Sequence, residues 1–148
     1  MQRWTSKPLP FAHDPRAPIQ GAALELIGVD QRVPSYSARV YLDNPKVAED
    51  AGTDAPGYAG TFAVFGHGEE CWGDEGHCHL SEAVSPFDQR AESNFKPANI
   101  TVDVTEALKM LVDEGEVRVT ILAAPAAGVK GATDEPLRFD ELMLVTYS

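Results

Sequence analysis

The chain has 148 residues, and its 12 basic against 23 acidic side chains give a net charge of −11 and a pI of about 4.6. Nucleic acids and anionic membrane surfaces both require clustered Lys and Arg, so we expect neither as a partner. No apolar run approaches the roughly 20 residues of a membrane helix, and the start has no signal-peptide core, so we expect a chain that is cytoplasmic, a mature fragment, or exported with a partner.

The first 20 residues contain four prolines. Proline lacks a backbone N–H and favours extended conformations, so this segment predicts an extended arm or linker and not a packed element. A chain of this length is expected to form one domain, which we place at residues 21–148.

Alternation of apolar and polar residues predicts six or so strands after the arm. The clearest is YSARVYLD, in which Tyr36, Ala38, Val40 and Leu42 share one face. The other predicted strands are ALELIGV, YAGTFAVF, NITVDV, EVRVTILAA and LRFDELMLVTYS. In the last of these the alternation breaks at Asp140–Glu141, which suggests a β-bulge.

One short helix is predicted in TEALKMLVDEG, with Asp103 as its N-cap, Glu106 as the capping-box partner and Gly115 at its end. Strands separated by turn signals, with a single helix, predict a mostly β protein: an antiparallel β-sandwich of jelly-roll type. The acidic stretch from Asp43 to Asp54 lacks the ligand order of an EF-hand, so we expect a solvated loop there.

The segment FGHGEECWGDEGHCHL, residues 65–80, contains both cysteines and three of the four histidines. Thiolate and imidazole together suit Cu(I) and zinc. The candidate ligands are His67, Cys71, His77, Cys78 and His79, in the pattern H-x3-C-x5-H-C-H. Neighbouring side chains in an extended segment point in opposite directions, so at most two of the last three can serve one site.

A disulfide between Cys71 and Cys78 is the competing interpretation of the same segment. Closing this loop would stabilise the fold by about 2.5 kcal/mol in the chain-entropy model. The three histidines at 67, 77 and 79 would then still be available for one Cu(II) or zinc ion. Metal site and disulfide both stay open at this point.

Several of these stretches together resemble a known family. SARVYLDNP, YAGTFAVFGHG, ITVDVTEALKML and EVRVTILAAP…LRFDELML look like the small C-terminal β-sandwich domain of tyrosinases, polyphenol oxidases and, more loosely, molluscan haemocyanins. The resemblance covers roughly residues 23–147. The Cys/His segment is similar to a GH…CWG…GHC segment of bacterial members.

The resemblance implies a non-catalytic accessory domain whose partner is a tyrosinase-type catalytic domain in the same or a separate chain. That domain holds two coppers on six histidines, whereas this chain has four histidines in all, so it is not expected to be an enzyme by itself. The implied roles are shielding of the copper site and assistance in copper loading. Trp72 would be the side chain that enters the partner's pocket, with packing on its own sandwich as the alternative for this residue.

Two other functions remain as alternatives. The first is a free-standing copper- or zinc-binding protein that uses the Cys/His segment. The second is a metal-dependent β-sandwich enzyme in which Glu69 or Glu70 acts as base on a metal-bound water.

Overall fold

The structure, a computed structural model, describes residues 1–12, 14–67, 97–128 and 135–148. Within those ranges the chain forms nine strands and one α-helix. They are β1 (Gln2–Thr5), β2 (Leu9–Pro10), β3 (Gly21–Val29), β4 (Pro34–Leu42), β5 (Tyr58–His67), β6 (Ala98–Asp103), α1 (Thr105–Lys109), β7 (Glu116–Val117), β8 (Val119–Pro125) and β9 (Glu141–Tyr147). A 3₁₀ turn, Val112–Glu114, lies between α1 and β7.

The strands form two facing sheets and a small ribbon, and every pairing is antiparallel. The first sheet has the order β1-β8-β4-β5, the second has the order β6-β3-β9, and β2 pairs with β7. Leu24 and Leu26 from the second sheet share a core with Val40 and Ile121 from the first, and all four are fully buried. The predicted antiparallel β-sandwich with one short helix is confirmed.

The predicted inner face of β4 is confirmed, but its outer face is also buried in part. Tyr41 points away from the core and is buried against Leu122 and Val47 beneath the loop that joins β4 to β5. The Tyr41 hydroxyl donates to the carbonyls of Ala51 and Gly52, at 3.0 and 3.1 Å. The acidic side chains of this loop are exposed, as expected, while two of its carbonyls accept from Tyr41 of the first sheet.

The Pro-rich start was expected to be unpacked, and its first residues are instead part of the sandwich. Gln2–Thr5 pairs with β8 along its whole length. The Gln2 side chain accepts from the Leu137 N–H at 2.8 Å and donates to the Leu137 carbonyl at 3.2 Å. Trp4 meets Phe139 edge to face, with ring centroids 4.9 Å apart. The prolines begin only at position 8, so they do not prevent strand pairing before it.

The helix is shorter than predicted, and its N-cap is Val104 and not Asp103. The Asp103 carboxylate accepts from the Thr105 N–H at 2.9 Å while Asp103 itself still belongs to β6. Gly115 ends the 3₁₀ turn and not the helix, with a left-handed φ of 72°. No helix in the described ranges is long and apolar enough to span a membrane.

The closing strand begins at Glu141, and the predicted bulge at Asp140–Glu141 is wrong. Strand β9 pairs with β3 in one unbroken register, from Ile27 opposite Glu141 to Gly21 opposite Tyr147. The irregularity lies on the other side of β3, where the pairing with β6 shifts between Leu26 and Val29. The break in alternation at Asp140 therefore marks the start of the strand.

Candidate functional site

The predicted ligands lie almost wholly outside the described residues. Cys71, Trp72, His77, Cys78 and His79 fall within residues 68–96, so the metal site, the disulfide and the inserted tryptophan stay predictions. His67 is placed by its backbone as the last residue of β5, opposite Pro34. Within the ranges that the structure describes, no group of three or more His, Cys, Asp or Glu residues is placed to hold a metal ion.

The two ends of the segment 68–96 are fixed at the same end of the sandwich. The segment leaves β5 beside the start of β4, and it returns to β6 at Ala98, which pairs with Val29 at the end of β3. Only the short connection from Asp30 to Val33 separates the ends of β3 and β4. We refer to this end of the fold, with residues 28–36, 65–67 and 97–99, as the segment-bearing end.

At the point of departure, the backbone of Gly66 lies against Ser35 of β4 and against Val33 of the connection before it. Its N–H donates to the Ser35 hydroxyl oxygen at 3.1 Å, and that hydroxyl donates to the Gly66 carbonyl at 3.3 Å. A Cβ atom at position 66 would lie 1.6 Å from the Val33 carbonyl oxygen, so only glycine fits without a shift of the backbone. The backbone of β5 is therefore held in place up to Gly66.

At the point of return, Asn99 holds the irregular part of β3. Its side-chain oxygen accepts from the Gly28 N–H at 3.2 Å. Gly28 has a left-handed φ of 72°, and the Asp140 carboxylate occupies the place where a Cβ atom would be. The hydrogen bond from Gly28 to Asn99 thus lies where the β3–β6 register shifts, which is also where the chain returns to β6.

The connection between β3 and β4 contains an ion pair between Asp30 and Arg32. The Asp30 carboxylate accepts from the Arg32 backbone N–H at 2.9 Å and from the Arg32 Nε at 3.0 Å. The Asp30 N–H donates to the Arg138 carbonyl at 2.9 Å. Burial by itself raises the pKa of Asp30, but the hydrogen bonds from Arg32 and the charges of Arg32 and Arg138 outweigh it and lower that pKa overall.

Beneath this connection lies a buried phenol, Tyr36. The residue is 2% exposed, and its hydroxyl has no hydrogen-bond partner in the structure as described. Burial, with a smaller contribution from the negative charge of Asp30, raises the pKa of Tyr36 to about 12. The hydroxyl therefore stays neutral over the physiological range, and it is not a group prepared for proton transfer near pH 7.

The surface feature of the segment-bearing end is an exposed aromatic side chain. Phe65 is 81% exposed, two residues before the first candidate ligand. Thr61 and Ala63 lie on the same outward side of β5, while Phe62 and Val64 are buried. Phe65 thus places one exposed apolar side chain beside the point where the chain leaves β5.

Sequence reasoning did not single out Phe65, although its signal was present. In YAGTFAVF the alternation that buries Phe62 and Val64 places Phe65 outside. Ser35, Gly66 and the Asp30–Arg32 pair were also missed, because their roles depend on strand pairing and on turn geometry that alternation does not encode.

Comparison with known proteins gives a likeness of fold. No family model matches the chain, and no curated protein does. Among solved structures, the chain is similar to a recombinantly expressed latent aurone synthase, a polyphenol oxidase, co-crystallised with hexatungstotellurate(VI) and soaked in H2O2. The TM-score is 0.55 at 15% identity, over 98% of this chain and 24% of that chain. The chain thus shares the fold of a part that makes up about a quarter of that polyphenol oxidase.

Proposed function

We propose that this chain is a non-catalytic accessory domain of a tyrosinase-type copper oxidase, and that its segment-bearing end faces the catalytic part. The observation that carries the proposal is the fold likeness, because nearly the whole chain matches a quarter of a polyphenol oxidase. A match of that extent is what a separable module of such an oxidase would give. The neighbour is described as latent, which is the state that a shielding module would produce.

The segment-bearing end supports this role mechanically. Gly66 and Asn99 hold the two ends of the segment, and the Asp30–Arg32 pair closes the turn between them. A segment held at both ends costs less entropy to place in a partner's surface than a free one. In this proposal, residues 65–80 are the working edge, and Trp72 is the side chain that enters the partner's pocket.

The donor atoms in residues 65–80 are suited to copper. Copper binding there would link this chain to copper loading of the oxidase. Sulfur and imidazole nitrogen from His67, Cys71, His77, Cys78 and His79 are ligands that Cu(I) prefers. When bound, the metal would be cargo for the catalytic part. A Cys71–Cys78 disulfide would instead leave the segment as a closed loop that acts by contact alone.

A free-standing copper- or zinc-binding protein is the second candidate, and the density of Cys and His in residues 65–80 favours it. Metal content and a free-thiol count, on protein purified without added metal or reductant, separate these cases. About one copper or zinc per chain supports metal binding; no metal and no free thiol supports the disulfide. The His67→Ala/His77→Ala double variant must lose copper affinity if the proposed ligands are right.

Association with a catalytic domain tests the accessory role. The probe is a tyrosinase-type dicopper domain purified without its own accessory domain, titrated with this chain in a calorimeter. We expect one-to-one binding, and we expect Phe65→Ser to weaken it by about tenfold as a central apolar contact is lost. Met110→Ser is the matched control, because Met110 is 86% exposed at the C-terminal end of α1 and does not belong to the segment-bearing end. No binding by the unaltered chain would refute the accessory role.

A further inference from the structure

Strand β9 is an outer strand of the second sheet among the residues that the structure describes. Among the described strands its one neighbour is β3. Natural edge strands are usually short, bulged, or marked by Lys or Pro, because a regular free edge pairs with other strands. β9 has seven residues, ELMLVTY, with an unbroken register and a single charged residue at its beginning, Glu141.

The other sheet edges differ from β9 in this respect. β1 has four residues and includes Arg3. The pairing of β5 shifts register at two places, and that of β6 shifts at one. Register shifts twist an edge away from a straight partner. β9 is thus the longest regular outer strand in the part of the chain that the structure describes.

The outward side of β9 is apolar after Glu141. Met143 is 41% exposed and Tyr147 is 54% exposed, with half-buried Val145 between them. On β3, the residues opposite Met143 and Val145 are Glu25 and Ala23. The outer edge of β9, which pairs with no further described strand, therefore lies beside a row of partly exposed apolar side chains.

We propose that a second copy of this chain pairs with β9, antiparallel, about a two-fold axis at Leu144. Only this register overlaps all seven residues of both strands. It places Met143 opposite Val145 of the second copy, and Glu141 opposite Tyr147 of the second copy. The sheet becomes six-stranded, and the exposed Met143 gains the apolar Val145 of the second copy as its cross-strand neighbour, while Tyr147 faces Glu141.

The charges agree with a second copy in this register. No carboxylate faces another between the two β9 strands. Glu141 faces Tyr147 of the second copy, and Glu25 lies on β3, outside the contact. Each chain nevertheless carries a net charge of −11, so the two copies repel at long range. Self-association is therefore expected to strengthen as salt is added, the opposite of what a basic partner would show.

The dimer is expected to be reversible. Pairing of one strand from each copy buries less than the roughly 1,600 Å² of a standard stable interface. The dissociation constant should then lie in the micromolar range or above. Sedimentation of the full chain over a concentration series measures this constant. Runs at about 0.05 M and about 0.5 M NaCl compare weak with strong screening of the repulsion between the chains.

Met143→Lys is the decisive variant. Within one chain the new ammonium would face Glu25, a favourable cross-strand pair, so the monomer stays folded. Between copies it would bury a charge against Val145 twice per dimer, and we expect self-association to weaken at least about tenfold. Met110→Lys is the control, since it makes the same change of charge at an exposed position outside the strands.

Three outcomes overturn the proposal. One is a monomer at every concentration and salt level. Another is self-association that Met110→Lys weakens as much as Met143→Lys does. The third is self-association that Met143→Lys leaves unchanged while it weakens binding of the dicopper domain, which would assign the edge to that partner. The proposal stands independently of the oxidase role, because self-association is measured on this chain alone.

Discussion

Tyr36 is the buried polar group whose behaviour the structure predicts most directly. Its folded pKa of about 12 exceeds the ordinary value of 10, because burial favours the neutral phenol. The corresponding stability is fully present below pH 10 and is lost as the pH rises through the interval from 10 to about 12, at up to about 1.4 kcal/mol per pH unit.

Replacement of Tyr36 by phenylalanine should remove this alkaline loss. Since the hydroxyl has no partner in the described structure, Tyr36→Phe should be neutral at pH 7 or stabilising by up to about 1 kcal/mol. Denaturant unfolding of both proteins at pH 7, 9 and 11.5 makes the comparison. A clear loss of stability at pH 7 would show that the hydroxyl is hydrogen-bonded.

Gly66 is the residue at which β5 comes closest to the connection between β3 and β4. Gly66→Ala should lower the free energy of unfolding by about 2–3 kcal/mol, because the added Cβ would collide with the Val33 carbonyl. Gly115→Ala is the control: it has a left-handed φ but no atom within 4 Å, so about 1 kcal/mol is expected. Equal costs in thermal or denaturant unfolding would contradict the close approach at Gly66.

At the scale of elements, the N-terminal strand is expected to contribute to stability. Gln2→Ala would leave both backbone groups of the buried Leu137 without their side-chain partner. We expect a cost of about 2 kcal/mol, from unpaired buried polar groups. Lys7→Ala, at an exposed position with no ion pair among those found in the described chain, should stay within about 0.5 kcal/mol. If both variants unfold at the same denaturant concentration, residues 1–20 are a free arm after all.

The elements also show where sequence patterns succeed and fail. Alternation predicted β4 well, since Tyr36, Ala38 and Val40 are buried as a period of two requires. It failed at the N-terminus, where the prolines from position 8 onward predicted an unpacked arm and Gln2–Thr5 instead forms a strand. It also failed for Tyr41, which is buried by a loop that arrives from later in the chain. Both failures concern contacts between distant residues, which local periodicity does not contain.

For the site, the sequence predicted composition but not arrangement. The Cys/His density of residues 65–80 is visible in the chain, as is the outward position of Phe65. The anchoring of the segment was not visible, because Gly66 meets Val33 and Ser35 only through the pairing of β4 with β5. Strand register brings these residues together, and register is a property of the folded sheet.

At the scale of the whole molecule, the account is of a rigid sandwich that carries one working end. Both anchors of the segment 68–96 lie at that end, and the fold is that of a part of a polyphenol oxidase. The acidic charge fits a partner with basic groups around its contact surface. The central claim is that this end covers the copper-site entrance of a tyrosinase-type catalytic domain.

The most direct measurement is oxygen consumption by a tyrosinase-type dicopper domain acting on a diphenol, titrated with this chain. The account predicts that turnover falls and levels off at one chain per catalytic domain, and that Phe65→Ser shifts the titration to higher concentration. Proteolytic removal of the chain should restore turnover. Turnover that stays constant while calorimetry shows one-to-one binding would contradict shielding, and would leave copper loading as the role to test.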